Sequence, residues 1–193
     1  MTTTKHDLLI KNGTIVDPSQ KLHAQRDIAF ANGKVSAIEQ DIPSNSSLET
    51  IDAKGQIVTP GLIDLHVHVW HGVAHLGIEP DPHCVARGVT TVFDAGSAGA
   101  DTYPGFQKYV IDVSATEIKA FLHVSSQGQL SQEIGELTDL QYADVKRATE
   151  MCEAYKDDIV GIKIRMSKGI VGENGKEGLK RARKSATRPA SPL

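Results

Sequence analysis

The chain has 193 residues, of which 39% are hydrophobic and 23% are charged, and its formal net charge is −3. This is the composition of an ordinary globular protein with one or two domains, and the charge gives no reason to expect nucleic acid or an anionic membrane as the main partner. No apolar run has the length of a signal-peptide core or a membrane span, and the two cysteines lack Cys-x-x-Cys spacing. We therefore expect a cytoplasmic protein.

Residues 1–59 predict short β-strands and no helix. The Asn-Gly pair at residues 32–33 is a strong hairpin signal, because both residues tolerate positive φ and apolar segments flank them. Residues 12–13 (Asn-Gly) and 54–55 (Lys-Gly) predict two further pairs of strands in the same way. So few strands bury little apolar surface. A free-standing small β domain is therefore the weaker interpretation, and a β segment that lacks its partner is the stronger one.

A predicted strand with two histidines follows the Pro-Gly turn at residues 60–61. Asp64, His66 and His68 share one face of this strand, because side chains two residues apart point to the same side. Two imidazoles on one face can hold a single metal ion. The apolar residues between them face the other way and are expected to bury against helices: Leu65, Val67 and Val69. The alternative is a half-buried strand whose polar residues simply face water.

After residue 70, strand and helix patterns alternate. Apolar and β-branched runs predict three more strands, at residues 89–96, 118–125 and 159–166. Helical spacing is clearest at residues 140–155. This alternation is typical of βαβ units in a parallel sheet. Four such units follow one another at the pace of a (β/α)8 barrel, a fold of about 250 residues.

Two cationic residues lie in the last of these strands. Lys163 and Arg165 alternate with isoleucines, so their side chains share one face. A lysine that points into a barrel is unfavourable unless it is paired, neutral or modified, because burial disfavours its charged form. The alternative is a lysine at a sheet edge whose amine reaches water.

The sequence Pro-Gly-Leu-Ile-Asp-Leu-His-Val-His at residues 60–68 resembles the first barrel strand of the amidohydrolase superfamily. Residues 88–96 and 161–167 are most similar to its deacetylase-type members, which are related to dihydroorotases. The resemblance implies an α/β fold: the first half of a (β/α)8 TIM barrel, preceded by part of a β-sandwich. It divides the chain into a composite sandwich segment (1–59), barrel strands one to four (60–175) and a tail (176–193).

The same resemblance implies a hydrolase with a metal centre, usually of two zinc ions. It assigns His66, His68 and Lys163 as metal ligands, with Lys163 carboxylated by CO2 to a carbamate that bridges the metals. Such metals activate water to attack an amide or ester of an acylated small molecule. Lys163 and Arg165 are the predicted catalytic residues, with Arg165 suited to a substrate carboxylate. Trp70 stands where dihydroorotases commonly carry Arg, which argues against dihydroorotate as the substrate.

The chain departs from the family pattern after residue 175. The tail at 176–193 is basic and nearly without large apolar residues, so we expect it to be solvated or disordered. Its abrupt change of composition predicts that the residues after 178 are foreign to the family, as they would be after a shift of reading frame. The family's histidines on strands five and six and its aspartate on strand eight have no counterpart here. We therefore predict a truncated barrel with little or no hydrolase activity.

Two other interpretations stay open. The first is a non-catalytic fragment that pairs its exposed sheet edge with a second copy, as a homo-oligomer, or with another chain. The second is a mononuclear hydrolase that is complete at this length. Its third metal ligand and general base would come from four further residues: His71, His75, His123 and Asp94.

Overall fold

Residues 5–186 are described by a computed structural model, which is the structure used throughout. The chain divides into two units between Pro60 and Gly61, where the sequence predicts a boundary after residue 59. We refer to residues 5–60 as the N-terminal unit and to residues 61–186 as the C-terminal unit.

The N-terminal unit is built on one five-stranded β-sheet. Its strands are β1 (His6–Asp17), β2 (Leu22–Ala31), β3 (Lys34–Glu39), β4 (Ser47–Asp52) and β5 (Ile57–Val58). The strand order is β3-β2-β1-β4, and β5 also pairs with β1. The β1–β2 and β2–β3 pairs are antiparallel, whereas β4 and β5 run parallel to β1.

One of the three predicted hairpins is present. Asn32 and Gly33 have φ angles of 53° and 71°, and they join β2 to the antiparallel β3. Asn12 also has a positive φ of 62°, but it lies within the continuous strand β1, where the register shifts between Ile10 and Gly13. The turn predicted there is wrong, because a bulge can use the same left-handed backbone as a turn. The third hairpin is also wrong, since β4 and β5 both run parallel to β1.

The core of the N-terminal unit is small and adjoins a buried carboxylate. Leu9, Ala29 and Ile42 form its buried apolar cluster. Asp27, which is 2% exposed, accepts a hydrogen bond from the Lys11 amine at 2.8 Å and one from the Ile42 N–H at 2.9 Å. These bonds compensate for the loss of water around the carboxylate.

The C-terminal unit contains a four-stranded parallel sheet in the order β6-β7-β8-β9. The strands are β6 (Leu62–Val67), β7 (Val89–Asp94), β8 (Glu117–His123) and β9 (Ile159–Lys163). The helices are α1 (Pro80–His83), α2 (Tyr103–Tyr109), α3 (Val145–Ala154), α4 (Lys168–Val171) and α5 (Gly175–Ala186). Parallel strands in chain order with helices between them confirm the predicted α/β class.

Large aromatic residues dominate the core of the C-terminal unit. Tyr103 and Phe106 of α2 are fully buried, and the Phe106 ring lies 5.6 Å from that of Trp70. Val92 and Leu122 supply apolar side chains from β7 and β8 to the same cluster. Trp70 is therefore a core residue. None of the helices within residues 5–186 has the length and apolar character that spanning a membrane requires.

Strand β6 forms one edge of this sheet and leaves apolar side chains exposed. Leu65, which the sequence predicts to be buried, is 67% exposed, and Leu62 and Ile63 are 53% and 60% exposed. Val69 is fully buried, as predicted. The prediction is wrong for Leu65 because alternation identifies the two faces of a strand but cannot show whether another element covers each face.

Residues 175–186 form helix α5, where the sequence predicts a solvated or disordered tail. Gly178, Ala182 and Ser185 are buried along one side of this helix, and Ala182 packs in a cluster with Leu137 and residues of α4. The spacing of these small residues brings them to one helix face. The remainder of the predicted tail, residues 187–193, lies outside the described residues.

Candidate metal centre

The two histidines of the predicted metal site lie at the carboxyl end of β6. Strand β6 ends at Val67, so His66 lies within it and His68 directly follows it. Their ring centroids are 5.7 Å apart and the rings are nearly perpendicular. The His66 N–H donates to Oδ1 of Asp64 at 2.9 Å, which fixes the backbone between them. The structure thus brings the two predicted imidazole ligands together.

The environment of His68 favours an uncharged imidazole. Burial, followed by the positive charges of Lys163 and His66, lowers its pKa to about 4. A histidine must be neutral to ligate a metal ion. His68 therefore meets this requirement across the physiological pH range.

Lys163 is the last residue of β9 and lies opposite His123 in the β8–β9 register. A Cβ atom added at Gly96 would lie 2.6 Å from both Cβ and Cγ of Lys163. The lysine stem therefore passes directly over Gly96, in the segment that follows β7. Ser97, the residue next to Gly96, contacts His68, so the stem of Lys163 lies on the side of the sheet where the histidines lie. The positive charge of Lys163 is also one cause of the lowered pKa of His68.

The donor types of His66, His68 and Lys163 suit a metal ion. Two imidazoles, one of them held neutral, are suitable zinc ligands, and Lys163 becomes a ligand when it loses its charge or carries a carbamate. Across residues 5–186, no group of three or more His, Cys, Asp or Glu side chains could hold a metal ion. A third protein ligand from the described part of the chain would therefore be a different residue type, as Lys163 is.

Asp94, which the sequence offers as a ligand or general base of a mononuclear site, lies at the end of β7. It is fully buried, and its oxygens accept hydrogen bonds from the backbone of three residues: Val69, Gly96 and Ser97. Burial raises the pKa of Asp94, and these hydrogen bonds oppose the increase. Its position at the base of the segment makes it a structural support and gives it no open site for a ligand.

Arg165 has a buried partner that the sequence analysis missed. Its Nη2 lies 2.9 Å from Oε1 of Glu136, whose side chain is 1% exposed. The other carboxylate oxygen lies 2.8 Å from Nε2 of His123, and Nδ1 of His123 accepts the Ser125 N–H. Glu136 lies in an irregular segment between β8 and α3, where no periodicity marks it, so its sequence context gave no signal of a buried role.

The remaining candidate histidines have other partners. Nε2 of His71 lies 3.6 Å from Glu79 Oε1, with both side chains more than half exposed. The backbone N–H and Nδ1 of His75 both contact the Gln129 carbonyl. The segment that contains both histidines is a turn and not a helix, so their spacing of four residues does not place them on one helix face.

Comparison with known proteins finds relatives that are longer than this chain, which covers only part of each of them. No protein-family model matches the chain. A deacetylase from Brucella anthropi is 40% identical over 156 residues, which are 80% of this chain and 39% of that protein. The deacetylase Atu3266 from Agrobacterium fabrum is 39% identical over the same length, covering 80% and 38%. A dihydroorotase from Aquifex aeolicus is 46% identical over 88 residues, which are 44% of this chain and 21% of that protein.

Solved structures give a similar result over more of the chain. A dihydroorotase crystal structure matches 93% of this chain and 48% of its own with a TM-score of 0.85 and 35% identity. An adenine deaminase matches 93% and 47% with a TM-score of 0.78 and 33% identity. The chain thus spans about two-fifths of the length of the deacetylases and about half of these two structures.

Proposed function

We propose, from the membership of this chain in the amidohydrolase superfamily, that it carries part of the metal centre of a hydrolase for acylated small molecules. The single observation that carries the proposal is the meeting of His66 with an uncharged His68 at the carboxyl end of the first strand of a parallel sheet. This is the end at which barrel enzymes of this type bind their substrates. Relatives named deacetylase support cleavage of a C–N bond, with an ester as the other candidate bond.

His66, His68 and Lys163 would hold the metal ion, and zinc suits a site of two imidazoles and one further donor. Such an ion, when bound, polarises a carbonyl oxygen and lowers the pKa of water. The chain's own residues prepare the site in two ways. Burial keeps His68 uncharged, and Gly96 leaves room for the stem of Lys163.

We also propose that the Lys163 amine carries a carbamate. The Lys163 ammonium first loses one proton, and the neutral amine then adds to the carbon of CO2 and releases a second proton. The two steps together turn a cation into an anionic oxygen donor. That exchange removes the positive charge that acts on His68 and supplies an oxygen donor that a second metal ion could share. NMR with 13C-labelled bicarbonate would detect the carbamate carbon. Its absence in wild type, or its persistence in Lys163→Ala, would contradict this assignment.

Arg165 is proposed to bind a carboxylate of the substrate. Glu136 already contacts one of its nitrogen atoms, so a substrate carboxylate would have to share the guanidinium with this buried partner. Substrates without a carboxylate should then bind measurably more weakly than their carboxylate counterparts. Comparing the binding of an N-acetyl amino acid with that of its amide tests this, and equal affinity would remove Arg165 from the site.

The metal assignment is tested by zinc titration calorimetry on the whole 193-residue chain. We expect saturable zinc binding in wild type and its loss in a His66→Ala and His68→Ala double variant. His83→Ala is the matched control, because His83 is an exposed histidine at the end of α1. Binding that survives in the double variant, or that falls equally in the control, would contradict the site.

We further propose that the chain on its own hydrolyses its substrates slowly. The described residues offer two imidazoles and one lysine, and they include no group of three or more His, Cys, Asp or Glu side chains for a metal ion. The assay uses purified protein with zinc and bicarbonate, and it follows N-acetyl amino acids and acyl esters. Turnover at ordinary enzyme rates, about 1 to 1,000 per second, would contradict this statement.

The second candidate function is association through the sheet edge. It is favoured by the exposed apolar residues of β6: Leu62, Ile63 and Leu65. An exposed apolar edge strand is a template for pairing with another chain. A defined oligomer in light scattering would support this function, whereas a monomer at all concentrations would remove it.

A further inference from the structure

The segment after β7 brings a buried serine and a buried aspartate together behind His68. Ser97 and Asp94 are both fully buried. The Ser97 hydroxyl donates to Oδ2 of Asp94 at 2.7 Å, and the same Oδ2 accepts the Val69 N–H at 2.8 Å. Oδ1 accepts the N–H groups of Gly96 and Ser97 at 3.0 and 2.6 Å. Both carboxylate oxygens of Asp94 are thus engaged as acceptors.

The Ser97 oxygen also contacts the metal-site histidine. It lies 3.0 Å from Nδ1 of His68. A hydroxyl has one proton to donate, and Ser97 directs its proton to Asp94. The contact with His68 must then run the other way, with Nδ1–H donating to the serine oxygen. A neutral imidazole carries one proton, so its Nε2 is left as a lone-pair donor.

We propose that Ser97, held by Asp94, is a positioning residue that fixes His68 in the Nδ1–H tautomer with Nε2 free to bind the metal ion. The consequence for the metal rests on the proposed function, whereas the tautomer itself does not. A hydrogen bond to the second ring nitrogen is the general means by which proteins orient histidine ligands. In this chain a hydroxyl stands between the imidazole and the carboxylate.

The first test measures the tautomer of His68 directly. The chain is labelled with 15N-histidine and studied without metal near pH 7, where the protonated and unprotonated ring nitrogens have distinct 15N shifts. His68→Gln identifies the signals. We expect the proton on Nδ1 in wild type and a shift toward the Nε2–H form in Ser97→Ala. Protonation on Nε2 in wild type would overturn the proposal, and so would a tautomer that Ser97→Ala leaves unchanged.

The second test measures what the tautomer does for metal binding. Ser97→Ala should weaken zinc binding about 10- to 100-fold, the usual effect of removing such a supporting group. The three backbone donors to Asp94 remain in this variant, so the segment should keep its fold. Ser125→Ala is the matched control, because Ser125 is also fully buried and its hydroxyl has no hydrogen-bond partner among the described residues.

The outcomes separate this inference from the proposed function. Equal zinc affinity in Ser97→Ala and wild type would overturn the positioning role. If wild type binds no zinc, the metal assignment of the proposed function fails, and the tautomer measurement still decides whether Ser97 orients His68.

Discussion

Glu136 is a buried carboxylate that contacts two of the candidate site residues, Arg165 and His123. Its oxygens lie 2.9 Å from Arg165 Nη2 and 2.8 Å from His123 Nε2. The side chain is 1% exposed, that of His123 is 0% exposed and that of Arg165 is 23% exposed. A buried carboxylate of this kind is unfavourable without a cationic partner. Arg165 therefore has a structural role whether or not it contacts substrate.

The variant Glu136→Gln should destabilise the C-terminal unit by about 2 kcal/mol, because it removes the charge that balances Arg165. Unfolding in urea can be followed by fluorescence of Trp70, the only tryptophan and a core residue of this unit. Glu133→Gln is the control, because Glu133 is an exposed glutamate in the same segment. Equal midpoints for the two variants would contradict the role of Glu136.

Asp27 and Lys11 give the N-terminal unit a defined pH dependence. Burial alone would raise the pKa of Asp27, but the hydrogen bonds from Lys11 and from two backbone N–H groups hold it below its usual 3.8. Its stabilising contribution is therefore complete above pH 3.8 and is lost as the pH falls through the lower folded pKa. The pKa of Lys11 is raised above 10.5, chiefly by Asp27. Its contribution is complete below pH 10.5 and is lost as the pH rises through the folded pKa.

Replacing the Asp27 carboxylate tests this predicted pH dependence of stability. Asp27→Asn should lower stability at pH 7 and flatten the loss of stability in acid, because the titrating group is gone. Far-UV circular dichroism during urea unfolding at several pH values measures both effects. Asp41→Asn is a matched control, since Asp41 contacts the same amine but its side chain is 84% exposed. A variant that keeps the acid dependence of wild type would contradict the assignment to Asp27.

Helix α5 packs through small residues and not through large apolar ones. Its buried face consists of Gly178, Ala182 and Ser185, and a Cβ at Gly178 would lie 3.0 Å from Leu137 Cδ1. The guanidinium of Arg181 donates to the Leu140 and Ala143 carbonyls at 2.7 and 3.2 Å. The helix is thus held by close packing of its small residues and by the hydrogen bonds that Arg181 donates to these two carbonyl groups.

The variant Ala182→Glu should destabilise the C-terminal unit by about 1–3 kcal/mol, because it buries a charge without a partner. Leu179→Glu is the control on the same helix, at a position that is 43% exposed, and it should change stability by less than about 0.5 kcal/mol. Thermal unfolding followed by Trp70 fluorescence provides the comparison. Similar losses in both variants would show that α5 is not packed through its small residues.

Local patterns predict some of these elements and not others. Alternation of period two identified the strands that carry His66, His68 and Lys163, because the signal lies within each strand. Ser97 and Glu136 act across segments that follow different strands, so no spacing along the chain relates them to their partners. The sequence does not predict helix α5, because this segment has almost no large apolar residues and the small volume of its Gly, Ala and Ser residues is what allows burial there.

At the scale of the whole molecule, the exposed apolar residues of β6 are the feature on which the proposed association depends. Leu62, Ile63 and Leu65 are each more than half exposed, and parallel sheets are normally covered on both faces. Adjacent exposed apolar residues on an edge strand favour association between chains. The proposed association would make the oligomeric state of the chain depend on its concentration.

Leu65→Lys should shift the chain toward the monomer, because a charge at an edge opposes pairing. Size-exclusion chromatography with light scattering, over a range of protein concentrations, measures the shift. Val113→Lys is the control, since Val113 is 70% exposed in the same unit but lies outside the strands. An equal effect of both substitutions would assign the change to net charge and not to β6.

Gly96 has a consequence for how the chain would respond to exhaustive mutagenesis. Its φ of 91° disfavours every other L-amino acid, and any added carbon meets the Lys163 stem at 2.6 Å. Every substitution of Gly96 should therefore be unfavourable, and alanine should be depleted from a library as strongly as tryptophan. At Lys163 the proposed metal role predicts instead that substitutes rank by how well each side chain can coordinate a metal ion. A saturation library would in this way distinguish a position that is constrained by packing from one that is constrained by its chemistry.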